Sequence, residues 1–540
     1  MYGWGRLWVP PGVTGGLSRI GWSGLAGFAV AYVVGAAFHF WMPLKVVAPV
    51  FVALGVAAAA VPLLRELSSR KWMIPAGLLL VCVAFSSRVL IHGDTGSYHL
   101  QAVQWITEEH AVTGLANLHG RFGFNSAWWI VTGMMQMPWM QSCACLYLAT
   151  GALAFFFGLL VIDGLQRLWA GAADAPGIIF SCATYLWFRQ LAGINNPSIG
   201  TDAPANLLGV ATAACLVMAC RNRSPGWAGT CLLLATLAVT VKLSAAVWLP
   251  GALLAAALVC LLRTTATTGR LTPLAAATGL SGILAGLWMT RGYQCSGYPG
   301  YPSRLLGMPS LPWSVPPADM VRDTAGVRDW PTRGGTISDS TLDVTWRWVQ
   351  NQYGTTNLVF AVMVALACLA AFVFIIPAAR KTGLKALLGK IDFLVIPVTT
   401  ALAGLAFCLL AAPAMRFASG YFFALIGMAF VAVFLLFPNA ASAWWRSLAL
   451  LLVISAVALN CAGVVARPPA LLALPEFPPP QVEEKTTIQG IAIQVALPNA
   501  MAWNVRRPST PYFDPGFHFE FTESGNVKMI SKSPREKSSE

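Results

Sequence analysis

Residues 124–140 read FNSAWWIVTGMMQMPWM. Whether this stretch crosses a bilayer decides on which side every later loop lies. It is apolar, but crowded with Met and with Trp, a residue that favours the membrane interface. About thirteen other apolar runs surround it, near 20–42, 46–64, 73–91, 143–162, 176–193, 203–220, 226–240, 243–262, 272–290, 357–378, 393–412, 418–437 and 447–466. Runs of about 18 or more apolar residues with few charges read as membrane spans. With 124–140 read as interfacial or re-entrant and the N-terminus inside, the inner loops carry most of the basic residues. They hold Arg65, Arg70 and Lys71; Arg167; Arg221 and Arg223; Arg263 and Arg270; Arg380, Lys381, Lys385 and Lys390; and Arg446. Cytoplasmic loops carry that bias. Lys45 is the clear exception. A full crossing by 124–140 would turn most of these clusters outward. The expectation is an all-α polytopic membrane protein of about thirteen transmembrane helices, with the N-terminus in and the C-terminus out.

Composition agrees. The chain is 57% hydrophobic and 10% charged, with a mean hydropathy of +0.65, whereas soluble domains carry roughly 25% charged residues. The net charge of +14 reflects the inner-loop bias and a basic tail, so no nucleic-acid partner is expected. No cleavable signal peptide is evident. Of 12 cysteines, only Cys295 reads as lying in an outer loop, which excludes a disulfide scaffold or CxxC metal site. No fixed repeat or inverted duplication appears.

The polytopic domain covers residues 1–466, with large outer loops at 92–142 and 291–356. An extracytoplasmic tail follows, 467–540, opening with RPPALLALPEFPPP (467–480). There Ile491, Ile493, Val495 and Leu497 alternate with small or polar residues, as do Phe517, Phe519 and Phe521, which argues strands. Ser524-Gly525-Asn526 would turn the chain. A small β-rich cap is expected, ending in the disordered basic KSPREKSSE (532–540).

The residues able to do chemistry fall at the outer membrane edge. Asp94 opens SYHLQAVQWI (97–106), in which Tyr98, Ala102, Trp105 and Ile106 share a helical face. It is either an N-cap or a site residue; on position alone the readings balance. His99, His119, Arg121 and Asn125 nearby favour a site. Asp202, in TDAPAN (201–206), reads first as an ordinary N-cap before Pro204. Lys242 reads as a snorkelling lysine, and Arg291 as a cation suited to a helix C-terminus. Arg416 differs, because a cation near a helix N-terminus opposes the dipole and calls for a compensating anion, either a protein carboxylate or a ligand phosphate, with the ligand favoured. Together these are two carboxylates and three cations at one depth. Such groups are costly in a membrane and default to function. They suit a reaction with a phosphate leaving group: cations hold the phosphate, and a carboxylate takes the proton of an attacking hydroxyl. No two His stand at i, i+4, so no helix-borne metal pair is signalled, and no cofactor is expected.

DTGSYHLQAVQWI (94–106), GLANLHGRFGFNSAWW (114–129), SGYPGYP (296–302) and PAMRFASGY (413–421) resemble the GT-C superfamily of integral-membrane glycosyltransferases. More closely they resemble a poorly characterised family of bacterial multipass membrane proteins placed near it, together with GIAI (490–493), Trp503 and PSTPY (508–512) in the tail. The resemblance implies a GT-C-like fold in the bacterial inner membrane with the active face outward. It implies a polyprenyl-phosphate sugar as donor and a glycan or lipid as acceptor. It carries the essential acidic residue of an early outer loop onto Asp94, and makes Lys242, Arg291 and Arg416 phosphate contacts by analogy. The sequence departs from the pattern in two respects. The acidic loop follows the third span rather than the first, and Asp94 has no acidic neighbour before Glu108 and Glu109, which puts a metal-dependent mechanism in doubt. Ala502 and Ser509 stand where the closer family has a cysteine pair, so no tail disulfide is expected.

The expected function is thus transfer of a sugar from a lipid-linked phosphosugar to an outer-face acceptor. Asp94 and Asp202 would be catalytic, Lys242, Arg291 and Arg416 phosphate-binding, and His99, His119, Arg121 and Asn125 acceptor-side. The rivals are a transporter or lipid flippase, and a polysaccharide polymerase or ligase. A transporter would place charged or broken-helix sites near the midplane, where these spans carry almost no charge.

Overall fold

The computed structural model describes residues 1–13, 16–66, 72–88, 91–137, 147–193, 195–262, 271–329, 389–412, 414–436, 442–466, 476–498 and 500–532. After a short helix α1 (Tyr2–Gly5), the bundle is built from α2 (Gly16–His39), α3 (Leu44–Glu66) and α4 (Met73–Ser86). The site segment carries α5 (Leu100–Glu108) and α6 (Ala127–Met135). Then come α7 (Ala149–Trp169), α8 (Ala175–Cys182), α9 (Thr184–Ala192), α10 (Asp202–Asn222), α11 (Pro225–Val241), α12 (Trp248–Leu261), α13 (Thr272–Ser296) and α14 (Pro317–Asp329). The last three are α15 (Val395–Ala411), α16 (Met415–Leu436) and α17 (Ser442–Ala466). Among the described residues, 9 helices are long and apolar enough to cross a membrane, and α4 and α11 are shorter apolar helices. This is the make-up of a multipass membrane protein. The span expected at 357–378 lies outside the described residues.

The stretch at 124–140 contains a helix of only 9 residues, about 13.5 Å long at 1.5 Å per residue. A hydrocarbon core is about 30 Å thick, so α6 is too short to cross. It starts on Ser126, whose hydroxyl accepts the Trp128 N–H, and it packs against α2, α3 and α5. The run at 176–193 is a correction. It is not one unbroken helix but two short ones, α8 and α9, that meet at Ala183. Hydropathy adds up apolar residues and does not register such a break. The Thr184 hydroxyl satisfies the Ser181 carbonyl at 2.6 Å there, and Trp187 Nε1 donates to Ala154 O at 2.8 Å.

Burial separates central helices from lipid-facing ones. The apolar window of α10 is 94% buried, against 22% for α3. Val50 and Leu54 of α3, Leu253 and Leu254 of α12, and Leu402 of α15 are exposed, as lipid contact requires. Between helices in lipid the hydrophobic drive is absent, so close packing and small residues carry the association. Trp248 stacks on Tyr421 with ring centroids 4.7 Å apart. A Cβ on Gly404 of α15 would come within 2.1 Å of that tyrosine ring.

The bundle has two chemically different ends. At one, Thr150 at the start of α7 bonds the Ser198 carbonyl just before α10. At the other, Arg446 of α17 donates to the Trp169 carbonyl, beside Arg167 with its partners Asp163 and Asp174. Arg221 lies there too, near the end of α10.

The tail is β-rich, as its alternation indicates. Strand β1 (Val482–Thr486) pairs antiparallel with β2 (Ala492–Ala496), which pairs parallel with β3 (Ser509–Thr510). Strands β4 (Phe517–Phe521) and β5 (Val527–Lys532) form an antiparallel hairpin. Its turn has Gly525 at φ +82, a left-handed conformation that glycine adopts without strain. Ile493, Val495, Phe517 and Phe519 are buried, but Phe521 at the strand end is exposed. The end of the basic tail, 533–540, lies outside the described residues.

This cap docks on the segment that follows Asp94. The Trp503 N–H donates to Gly96 O, and the Thr510 hydroxyl to Leu118 O at 2.7 Å. Arg507 pairs with Glu108 and Glu109 and covers the Trp105 ring. Helix α5 is therefore buried under the tail rather than lying at an open interface. Its apolar face is the expected one: Tyr98, Ala102, Trp105 and Ile106 are all buried. Helix α13 runs to Ser296. Arg291 and Cys295 thus sit on its last turns and not in a loop, with Cys295 buried.

Candidate functional site

Four charged side chains from four separate places meet at the end of the bundle that the tail covers. Asp94 stands just before a π-helical turn, Thr95–His99, that leads into α5, and its carboxylate makes no capping hydrogen bond. It faces Arg416 instead, 3.9 Å from Nη1. Asp202 is the first residue of α10, with Thr201 as the N-cap. The N-cap reading of Asp202 is therefore corrected by one residue. Its carboxylate pairs with Lys242 Nζ through one oxygen and with Arg416 Nε at 3.5 Å through the other. Lys242 ends α11 as its C-cap, where a cation suits the dipole. Arg416 lies in the first turn of α16, where it opposes the dipole. The anion this position calls for is supplied from within the protein, by Asp202 and Asp94.

Three further residues build the cluster, and sequence reasoning missed them. Phe417 is buried; Lys242 Nζ lies 3.9 Å, and the Arg416 guanidinium carbon 4.9 Å, from its ring centroid. An aromatic face attracts cations at this range, so the ring holds two like charges side by side. Asn206, one turn below Asp202, joins α10 to α16. Its amide donates to Arg416 O at 2.6 Å and to Asp202 O at 2.8 Å, and its oxygen accepts the Gly420 N–H at 2.7 Å. That clasp sets Arg416 over Asp202. His92 lies within the field of all four charged groups, and burial is the largest cause that lowers its pKa. The signal for Asn206 was its i, i+4 spacing from Asp202; Phe417 and His92 stand in sequence beside residues already singled out.

The other expected residues divide in two. His99 is close: its ring lies 6.0 Å from His92 and 4.3 Å from Tyr98. Burial holds its pKa well below the ordinary histidine value. His119 is one layer further out, 5.7 Å from the Tyr98 ring, with its pKa lowered to about 3 by burial. Arg121 covers Phe124 at 5.2 Å and Tyr98 at 5.9 Å. Arg291 and Asn125 form a separate clasp. Arg291 donates to Asn125 Oδ1, while Asn125 exchanges hydrogen bonds with Trp288, giving to its carbonyl at 2.7 Å and accepting from its indole at 2.8 Å. Arg291 is buried and lies in the field of Tyr32, His39 and Cys295. The structure therefore does not bring Arg291 to Asp94 with the other two cations. It locks the end of α13 to the turn at Asn125.

The cluster can hold an anion and accept a proton. Asp94 is the looser carboxylate: its side chain is 41% exposed, against 13% for Asp202. Asp202 is committed to two cations. Arg416, at 35% exposure, touches its carboxylates at distances longer than the roughly 2.7–2.9 Å of strong charge-assisted hydrogen bonds. An incoming phosphate can replace such contacts. Among the described residues, no group of three or more His, Cys, Asp or Glu could hold a metal ion.

A family described as a domain of unknown function, DUF8201, matches residues 20–423. The match takes in all four residues of the cluster and ends where the tail has yet to begin. No curated protein matches the chain, and no solved structure does.

Proposed function

We propose that this chain, which belongs to the DUF8201 family, is a membrane glycosyltransferase acting on a polyprenyl-phosphate-linked sugar. The observation that carries the reading is the meeting of Asp94, Asp202, Lys242 and Arg416 at one end of an otherwise apolar bundle. Charge that develops on a leaving phosphate is stabilised by fixed cations, and Lys242 and Arg416 supply them. Asp94 takes the proton from the acceptor hydroxyl as its oxygen bonds to the sugar's anomeric carbon. The bond from that carbon to the phosphate oxygen breaks, and the phosphate leaves on its lipid. Asp202 positions both cations and does not itself take the proton. A GT-C-like arrangement and the bacterial inner membrane belong to the same proposal.

The orientation follows from charge. Arg167, Arg221 and Arg446 lie at the end opposite the cluster, and basic residues favour the cytoplasmic side. The cluster and tail then face outward. A cysteine placed at Ser524 should react with an impermeant maleimide on intact cells, above the level of the parent chain. Reaction only after the cells are opened would reverse the orientation.

The cluster lies at helix ends, whereas a transporter site is expected near the midplane. A strain lacking the gene should lose one sugar from its surface glycans or lipids and accumulate a lipid-linked sugar. Unchanged glycans and lipids would rule out transfer.

A further inference from the structure

Behind the charged cluster, where the cap meets the membrane domain, the structure holds a cavity of about 520 Å³. Its wall comes from three separate parts of the chain: the turn at Asn117–Gly120, helix α14 and the tail from Tyr512 to Lys532. These parts are tied together. Lys532 pairs with Asp319 at 2.9 Å, and the Asn117 amide donates to Trp313 O at 2.7 Å and Ile530 O at 3.2 Å. The cavity is therefore built into the docked cap.

From this cavity we infer a binding site for a neutral saccharide. Tyr512 stands at its rim, 67% exposed, although its ring lies 6.2 Å from the His119 ring and 5.9 Å from the Arg322 guanidinium. An exposed ring held in place by flanking groups is a platform for the C–H face of a sugar ring. Carboxylates, which accept pairs of hydroxyl hydrogens, come from Asp323 and Asp514, while Asp319 is held by Arg322 and Lys532. Asp323 is oriented by the Tyr301 hydroxyl at 2.6 Å. Two buried lining residues, Asn117 and His119, are 3% and 8% exposed. Among the described residues, Asn117 Oδ1 and His119 Nδ1 have no hydrogen-bond partner. His119 is neutral there, its pKa lowered to about 3 by burial.

Charge selects the class of saccharide. Three carboxylates line the cavity against two cations, Arg322 and Lys532, so an acidic sugar is disfavoured. The volume lies in the 300–1,000 Å³ or so of ordinary ligand pockets, enough for more than one sugar ring. A chain of rings, His119 to Tyr98 to His99 to His92, runs from this cavity to the charged cluster. The site rests on the proposed transfer reaction only in calling that saccharide the acceptor; binding itself is independent of it.

The test uses the full chain in lipid nanodiscs, fluorescently labelled, on a printed array of neutral and acidic oligosaccharides. Neutral oligosaccharides should be retained and acidic ones not. Tyr512→Ala should weaken the retained signal severalfold, as loss of an aromatic contact worth about 1 kcal/mol does, and Asp323→Asn should weaken it as well. The array carries no lipid-linked donor, so retention reports binding alone and separates failure of binding from failure of transfer. The inference is overturned if no neutral saccharide is retained, if acidic ones are preferred, or if binding survives both Tyr512→Ala and Asp323→Asn.

Discussion

Asp94→Asn should cut sugar transfer by about 10²–10⁴-fold, the usual loss on removing a general base, while the protein stays folded. Asn caps a helix nearly as well as Asp, so a capping role predicts almost no change. The geometry already weakens that role, because the Asp94 carboxylate accepts no capping hydrogen bond. Asn also keeps the size of the side chain and its approach to Arg416, losing only the charge and the ability to take a proton. With a side chain 41% exposed, Asp94 contributes little to stability. The measurement is sugar incorporation in cells holding equal amounts of each variant, with gel filtration of the purified protein to check folding. Near-normal incorporation would remove Asp94 from the reaction.

Asp202→Ala should do the opposite and destabilise the protein. Asp202 and Lys242 are 13% and 24% exposed, and the pair sits where α10, α11 and α16 converge. Removing one partner of a largely buried pair leaves the other charge uncompensated, at a cost of roughly 3–5 kcal/mol. Here Lys242 loses its carboxylate, and Arg416 keeps only Asp94 at 3.9 Å. Their shared contact with the Phe417 ring then holds two cations together without an anion between them. The readout is the fraction of protein that remains monodisperse after brief heating in detergent. Asp202→Ala should fall well below the parent and below Asp94→Ala. Adding Lys242→Ala should restore part of the loss, since coupled residues depart from additivity by about 0.5–3 kcal/mol. Equal heat resistance of Asp202→Ala and the parent would show that the pair is not the anchor described.

The two variants together assign different work to two carboxylates that look alike in sequence. Each is an aspartate at a helix start beside an apolar run. What distinguishes them is commitment. Asp202 is held by two cations through both its oxygens, whereas Asp94 reaches a single one at 3.9 Å.

Local properties of the chain were legible in its sequence. Hydropathy summed over a window finds helices such as α2, α10 and α16 because a span must satisfy its backbone within itself and cover it with apolar side chains. The Trp- and Met-rich stretch at 124–140 holds only a 9-residue helix among its described residues, and period-two alternation showed β2 and β4. The position of Arg416 at a helix start called for an anion, because the dipole acts within one turn. Partnership was not legible. Arg291 and Lys242 are both cations at span ends, yet one meets Asn125 and the other Asp202. Phe417, Asn206 and His92 gain their roles only from what lies across from them. The break at Ala183 likewise belongs to the packing of α8 and α9 among their neighbours. Helix propensity and hydropathy are set by residues a few positions apart, whereas ion pairing falls off within a few ångströms and depends on which helices adjoin. That adjacency is decided by the fit of apolar faces and small residues across the whole bundle, which only the tertiary structure contains.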